Sequence, residues 1–216
     1  YKFLREMEFN RLLSSAISAY GEPNLINSKE NSTIKEKIKP IKKNEYSLIK
    51  DLAEIDLWIK EAEEVGEVAV DTETSSLDPH QTELIGVSLC SKIGKACYIP
   101  IGHNSKRCID REMVLKKLRP LLEDPSIKKI GQNIKFDFIV LFKHGINISS
   151  MEDTMLMSYV LDSGKNRHNM DTLSEIHLNH KTISFKDLVG TGKKMINFSE
   201  VDIEKAKDYA AEDADI

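Results

Sequence analysis

The sequence predicts an α/β fold with a mixed central sheet of about five strands and helices on both faces. Three observations predict it. Apolar, strand-like runs follow one another in hairpin-like succession at 67–72, 82–90 and 96–101. Helical patterns then alternate with a further short strand at 128–131. The helical stretches open on capping residues and close on glycines, which fixes their ends.

In order, residues 1–20 carry Phe3, Leu4, Met7, Phe9, Leu12, Leu13, Ile17 and Tyr20 at helical spacing, and Gly21 and Pro23 stop the pattern. Residues 23–44, rich in Asn, Ser and Lys, read as a flexible linker. The folded domain starts at Glu45 and continues to the end of the chain. Tyr46–Ile49 is a short strand. Asp51 caps the next helix, with Glu54 completing a capping box and Leu52, Ile55, Trp58 and Ile59 forming the apolar face. Gly66 ends it, and the strand at 67–72 follows. Gly94 permits the turn between the next two strands. Asp110 caps a helix bearing Met113, Val114, Leu118, Leu121 and Leu122. After the strand at 128–131, a helix is expected over 133–144, closed by Gly145. Asp153 caps another helix through Leu161; shorter helices follow at 171–179 and 185–189, and the last begins at Asp202.

The chain has 216 residues, 40% hydrophobic and 31% charged, a soluble globular composition. No apolar run approaches the roughly 20 residues that cross a bilayer, so no membrane partner is expected. Cys90, Cys97 and Cys108 form no Cys-x-x-Cys pair and read as reduced thiols, which fits a cytoplasmic protein. The net charge of −4 is unusual for a nucleic-acid binder, but bound cations reverse the local sign wherever acids serve as ligands. The chain opens at Tyr1 rather than Met and stops at Ile216 inside a helical pattern, as expected of a fragment with its last helix truncated.

The chemistry lies in three clusters. Asp71 and Glu73 end a buried strand and, two apart, share a face. Asp137 follows Asn133 by one helical turn, on a segment made apolar nearly all round by Phe136, Phe138, Ile139 and Phe142. Tyr209 and Asp213, four apart, share a helix face, and Ala210-Ala211 lets that helix approach the sheet closely. Asp208, Glu212 and Asp215 around them also fit a charged surface helix. Four carboxylates aimed at one point resist ionising unless cations are present. Two divalent metal ions are the natural tenants, and they suit phosphodiester hydrolysis.

In order and context these residues resemble the DEDD-type 3′–5′ exonucleases with a tyrosine in the third motif. Within them, the chain is similar to the proofreading domains of bacterial DNA polymerases I. The likeness is densest in Asp71–Asp78, Gly131–Asp137, Arg167–Phe185 and Tyr209–Asp215. The stretch from Arg167 through His180-Lys181-Thr182-Ile183-Ser184-Phe185 separates this family from RNA-trimming relatives. The resemblance implies a ribonuclease H-like fold and stepwise hydrolysis of DNA 3′ ends, single-stranded or frayed. It implies that residues 1–22 are the tail of a preceding 5′-nuclease domain. The full-length chain would also carry a polymerase domain and act as a nucleoid-associated monomer in repair and replication.

By the same resemblance, Asp71 would bridge two metals, and Glu73 and Asp213 would complete the site of the ion that binds the attacking water. Asp137 would hold the second ion through water, and Tyr209 would orient the nucleophile. Mg²⁺ is the implied ion, with Mn²⁺ able to substitute. Leu77 and Phe185 would wedge against terminal bases, whereas on the residues alone both read as core side chains. Thr74, Gln132, Asn133, Phe136 and Arg167 would contact backbone and sugar; Phe136 stands where the family often has a tyrosine, so one phosphate hydrogen bond is missing. His103, His144, His177 and His180 read as surface or satisfied positions. The rival readings are an RNA 3′-exonuclease of the same fold and a non-catalytic DNA-positioning spacer.

Overall fold

A computed structural model describes residues 1–22 and 46–216. These belong to two compact units, one holding residues 1–22 and the other 46–216. The linker expected at 23–44 lies outside the described residues.

In the first unit the single expected helix is two, α1 (Lys2–Glu6) and α2 (Asn10–Tyr20). Glu8 adopts a left-handed φ of 54° between them. The periodic apolar pattern runs through this break without signalling it. Neither has a buried residue.

In the second unit, β1 (Ser47–Leu48) leads to α3 (Leu52–Val65), β2 (Glu67–Thr74), β3 (Leu84–Lys92) and β4 (Lys95–Pro100). Then come α4 (Arg111–Glu123), β5 (Lys128–Gly131), α5 (Lys135–Lys143), β6 (Met151–Asp153) and α6 (Thr154–Asp162). The chain ends with α7 (Met170–Leu173), α8 (Phe185–Val189) and α9 (Ile203–Asp215). The expected N-caps are made, but the capping box at Asp51 is not: Glu54 accepts from the Lys50 amide instead of that of Asp51. Asp51 accepts from the amides of Ala53 and Glu54, and Asp110 from that of Met113. Gly66 leaves α3 at a left-handed φ of 82°, where a Cβ is disfavoured.

The sheet has six strands in the order β1-β4-β3-β2-β5-β6. β2–β3 and β3–β4 are antiparallel; the other pairs are parallel. The sixth strand, β6, was not expected: three residues at an edge leave no alternation to read. Two other boundaries differ. Helix α5 starts at Lys135, because Asn133 is left-handed (φ 58°) and outside it. The helix expected over 171–179 is α7 followed by one π-helical turn, Ser174–Leu178.

Period-2 alternation divides the core between the two faces of the sheet, except that Ile85 falls out of step with Val87 and Leu89 at the β2–β3 register shift. Val68, Val70, Val87, Leu89, Cys97 and Ile99 pack with residues of α3, α4 and α5. On the other face, Ile85, Tyr98, Cys90 and Ala96 meet Ala206, Ala210, Ala211 and Ala214 of α9. Those alanines are buried, and their small side chains bring α9 close to the strands.

Candidate active site

Strand β2 carries the first two acids in alternation with its core residues. Val68, Val70 and Thr72 turn to the α3–α5 face, so Asp71 and Glu73 turn to the α9 face. The β2–β3 register shifts between Glu73 and Thr74, so the strand is irregular where the acids emerge. Asp213 comes down from α9. One ligand oxygen from each of Asp71, Glu73 and Asp213 lies within 4.8 Å of the others.

Asp137 approaches from the other side and is not a member of that trio. It is 3% exposed, and its Oδ1 accepts from the Thr72 amide (2.9 Å) and Thr72 Oγ1 (2.5 Å). Thr72 therefore ties the first acidic motif to the second across the strand. Its role is legible only once the period of β2 is known, since a threonine between two acids carries no signal of its own. Asp153, expected only as a helix cap, is a second support. Its Oδ1 caps α6 at Met155 and Leu156 and also accepts from the Asn133 amide, which fixes the entry into α5.

The electrostatics are those of a crowded anionic site. Burial pushes the Asp71 carboxyl up to about 6, against a hydrogen bond from the Thr72 backbone. Glu73 is held well above the usual carboxylate range by burial and then by Asp71, Asp213 and Asp137. Burial and Asp71 also raise Asp137 and Asp213. Glu73 Oε1 is buried without a hydrogen-bond partner among the described residues. Ionised carboxylates packed this way are unstable without positive charge. All-oxygen donors with an orphaned buried oxygen fit a hard divalent cation.

Tyr209 lies one turn before Asp213 on α9, and burial followed by the nearby Asp213 raises its phenol. Its ring packs on Phe185 (5.9 Å between centroids) and Phe198 (6.2 Å), and Phe185 and Phe198 are stacked at 6.3 Å with an interplanar angle of 2°. Phe198, buried in a short 3₁₀ turn, was not anticipated.

The remaining candidates divide. Leu77 is 92% exposed and Phe185 39%, so neither is the core residue its type suggests. Asn197 Nδ2 donates to the Ser75 carbonyl and holds the loop that presents Leu77. Arg167 is exposed. Thr74 bonds the Ser76 carbonyl. Gln132 has both amide ends engaged within the protein, donating to the His168 carbonyl and accepting from Thr154. Phe136 packs against the main core. The expected charged surface on α9 holds for Asp208 alone: Glu212 is buried, and Asp215 accepts from Tyr46 and the Gly94 amide.

Acids converging at the end of a central strand, in a mixed sheet layered by helices, define a ribonuclease H-like nuclease. The 3′–5′ exonuclease model of the A-type DNA polymerases matches residues 46–216, and the chain belongs to that family. DNA polymerase I of Pseudomonas aeruginosa is 44% identical over 178 residues, covering 80% of this chain and 20% of the relative. DNA polymerase I of Rhizobium leguminosarum is 42% identical over 198 residues, covering 82% and 19%. The chain thus spans about a fifth of the length of these curated relatives. Among solved structures, Brucella melitensis NrnC with bound Mg²⁺ matches at a TM-score of 0.53 and 28% identity, covering 69% of this chain and 67% of that one.

Proposed function

We propose that this chain removes single nucleotides from DNA 3′ ends by metal-dependent hydrolysis, as the proofreading module of a longer DNA polymerase. The observation that carries the reading is the convergence of Asp71, Glu73 and Asp213 as buried carboxylates. Asp71, Glu73 and Asp213 would hold one divalent ion, with Asp71 shared by a second near Asp137. When bound, such ions neutralise phosphate charge and lower the pKa of water, at Mg²⁺ or Mn²⁺ alike.

The chain's own residues supply the rest. Tyr209, kept protonated by burial, donates a hydrogen bond that orients the attacking water beside Asp213. Phe185 and Leu77, exposed on either side of the acids' loop and helix, offer apolar faces to terminal bases, and such stacking tolerates any sequence. Arg167 positions the backbone without reading sequence. By the family's pattern, Thr74, Gln132, Asn133 and Phe136 would contact the last nucleotides. A paired end must open before it fits, at about a few kcal/mol, so mismatched ends are favoured. Residues 1–22 would belong to a preceding 5′-nuclease domain, 23–44 would link it, and 45–216 would be the exonuclease; the whole protein would work as a cytoplasmic monomer.

The test is product release from a 3′-mismatched DNA primer with Mg²⁺, with Mn²⁺, and with excess chelator. Stepwise release of 5′-mononucleotides that stops with chelator is expected. Cleavage that persists in chelator, or a preference for structured RNA over the mismatched primer, would overturn the reading.

A further inference from the structure

Glu212 is adjacent to Asp213 but points elsewhere. It is 1% exposed, and its carboxylate is fully engaged. Oε1 lies 3.0 Å from His180 Nε2, and Oε2 accepts from the Ile183 amide at 2.5 Å. Both partners belong to the strap 179–184, between the π-helical turn and α8. The strap is tied at its start as well. The His180 amide donates to the Ser174 carbonyl, Ser174 Oγ donates to the His180 carbonyl, and Thr182 Oγ1 donates to Asp171.

Phe185 follows Ile183 by two residues, and its ring rests on Tyr209 and Phe198. Tyr209, Glu212 and Asp213 lie three and four apart, on one side of α9. One turn of that helix thus carries the phenol, the carboxylate that holds the strap, and an acid of the site.

We infer that Glu212 and His180 form a latch that seats the strap, so that Phe185 is held at the stacking distance and height required by the terminal base; both are positioning residues. This rests on the exonuclease reading of the same site. A buried carboxylate with two donors also stabilises the fold, but that role alone predicts nothing about substrate. The latch predicts a specific failure: without it Phe185 loses its fixed place, and the 3′ end binds worse, while Asp71, Glu73 and Asp213 keep their chemistry. His180 is the residue to change, because it lies off α9.

The experiment compares the 216-residue chain with His180→Ala, His180→Asn and His180→Gln. Kinetics use a single-stranded oligothymidylate with Mg²⁺. Binding uses the same strand with a 3′-terminal 2-aminopurine in excess chelator, where stacking quenches fluorescence. His180→Ala should raise KM about tenfold, the worth of one base stack, with a smaller change in kcat and a loss of quenching. His180→Gln, whose amide nitrogen reaches the place of Nε2, should restore both. If His180→Ala does not fold, the shorter His180→Asn carries the same expectation. With an active wild type, an unchanged KM, a fall in kcat alone, or no rescue by Gln each overturns the latch. A wild type that does not cleave overturns the exonuclease reading instead, and the latch is then judged by the quenching arm. Absence of quenching in the wild type overturns the latch.

Discussion

At Asp71 a side chain's burial decides its chemistry. Its carboxyl, pushed up to about 6, shares space with Glu73 and Asp213, and a cation would resolve the conflict. Asp71→Asn keeps the shape and removes the charge. Cleavage of the mismatched primer should fall at least about a thousandfold, since metal-held charge is worth several kcal/mol in such a transition state. The variant should also melt no lower than the wild type in chelator, because it relieves repulsion. A variant retaining a tenth of the activity would contradict the metal account. Tyr209→Phe leaves the ring packing on Phe185 and Phe198 intact and removes only the hydroxyl. We expect a loss of about ten- to a hundredfold in the same assay, below the range of a full general acid or base, because the phenol only orients the water. A loss equal to that of Asp71→Asn would give the phenol a primary role. The acids were legible because charge on an apolar strand or helix is anomalous and needs a partner. Thr72, Glu212 and the bond from the Asn133 amide to Asp153 were not, since each acts through a hydrogen bond whose partner is distant in sequence.

At the scale of elements, the site depends on how closely β2, β3 and α9 approach. Gly86 on β3 pairs with Glu73 on β2. A Cβ there would overlap the Tyr98 ring, which is fully buried and hydrogen-bonded through its hydroxyl to His103. The ring has no room to retreat. Gly86→Ala should therefore cost about 1–3 kcal/mol of stability, read from urea denaturation; a neutral result would show that β3 yields without strain. Most elements were legible because local signals and tertiary packing agree. The caps at Asp51, Asp110, Asp153 and Asp202 all accept backbone amides at their helix starts. The failures share a cause. β6 is stabilised by pairing with β5 rather than by its own pattern. Asn133 is left-handed because its amide is drawn to Asp153, a contact no local spacing reveals.

For the whole molecule, the acids couple stability to pH and metal. No helix among the described residues is long and apolar enough to cross a membrane. The acids' pKa values are raised on folding: Asp71 from 3.8 to about 6, and Glu73, Asp137 and Asp213 well above their usual values. The folded state therefore binds more protons than the unfolded chain across this window, and linkage makes stability fall as pH rises. The stabilising protonation is complete below the unfolded carboxylate range and is lost as pH climbs through about 6 for Asp71 and through the raised values of its neighbours. In chelator, Tm should thus rise as pH is lowered from about 7 to about 5. Most unpaired surface carboxylates contribute nothing of this sign. On the proposed reading, divalent ions would bind only the folded arrangement of Asp71, Glu73 and Asp213, so at pH 7 they should raise Tm in a concentration-dependent way. They should also flatten the pH dependence, because metal charge replaces the proton as the counterweight. Thermal melts at pH 5, 6 and 7, with chelator and with Mg²⁺, read both effects. A Tm that falls on acidification in chelator, or that ignores the ion at pH 7, would mean that the four carboxylates are not a metal site held in tension by the fold.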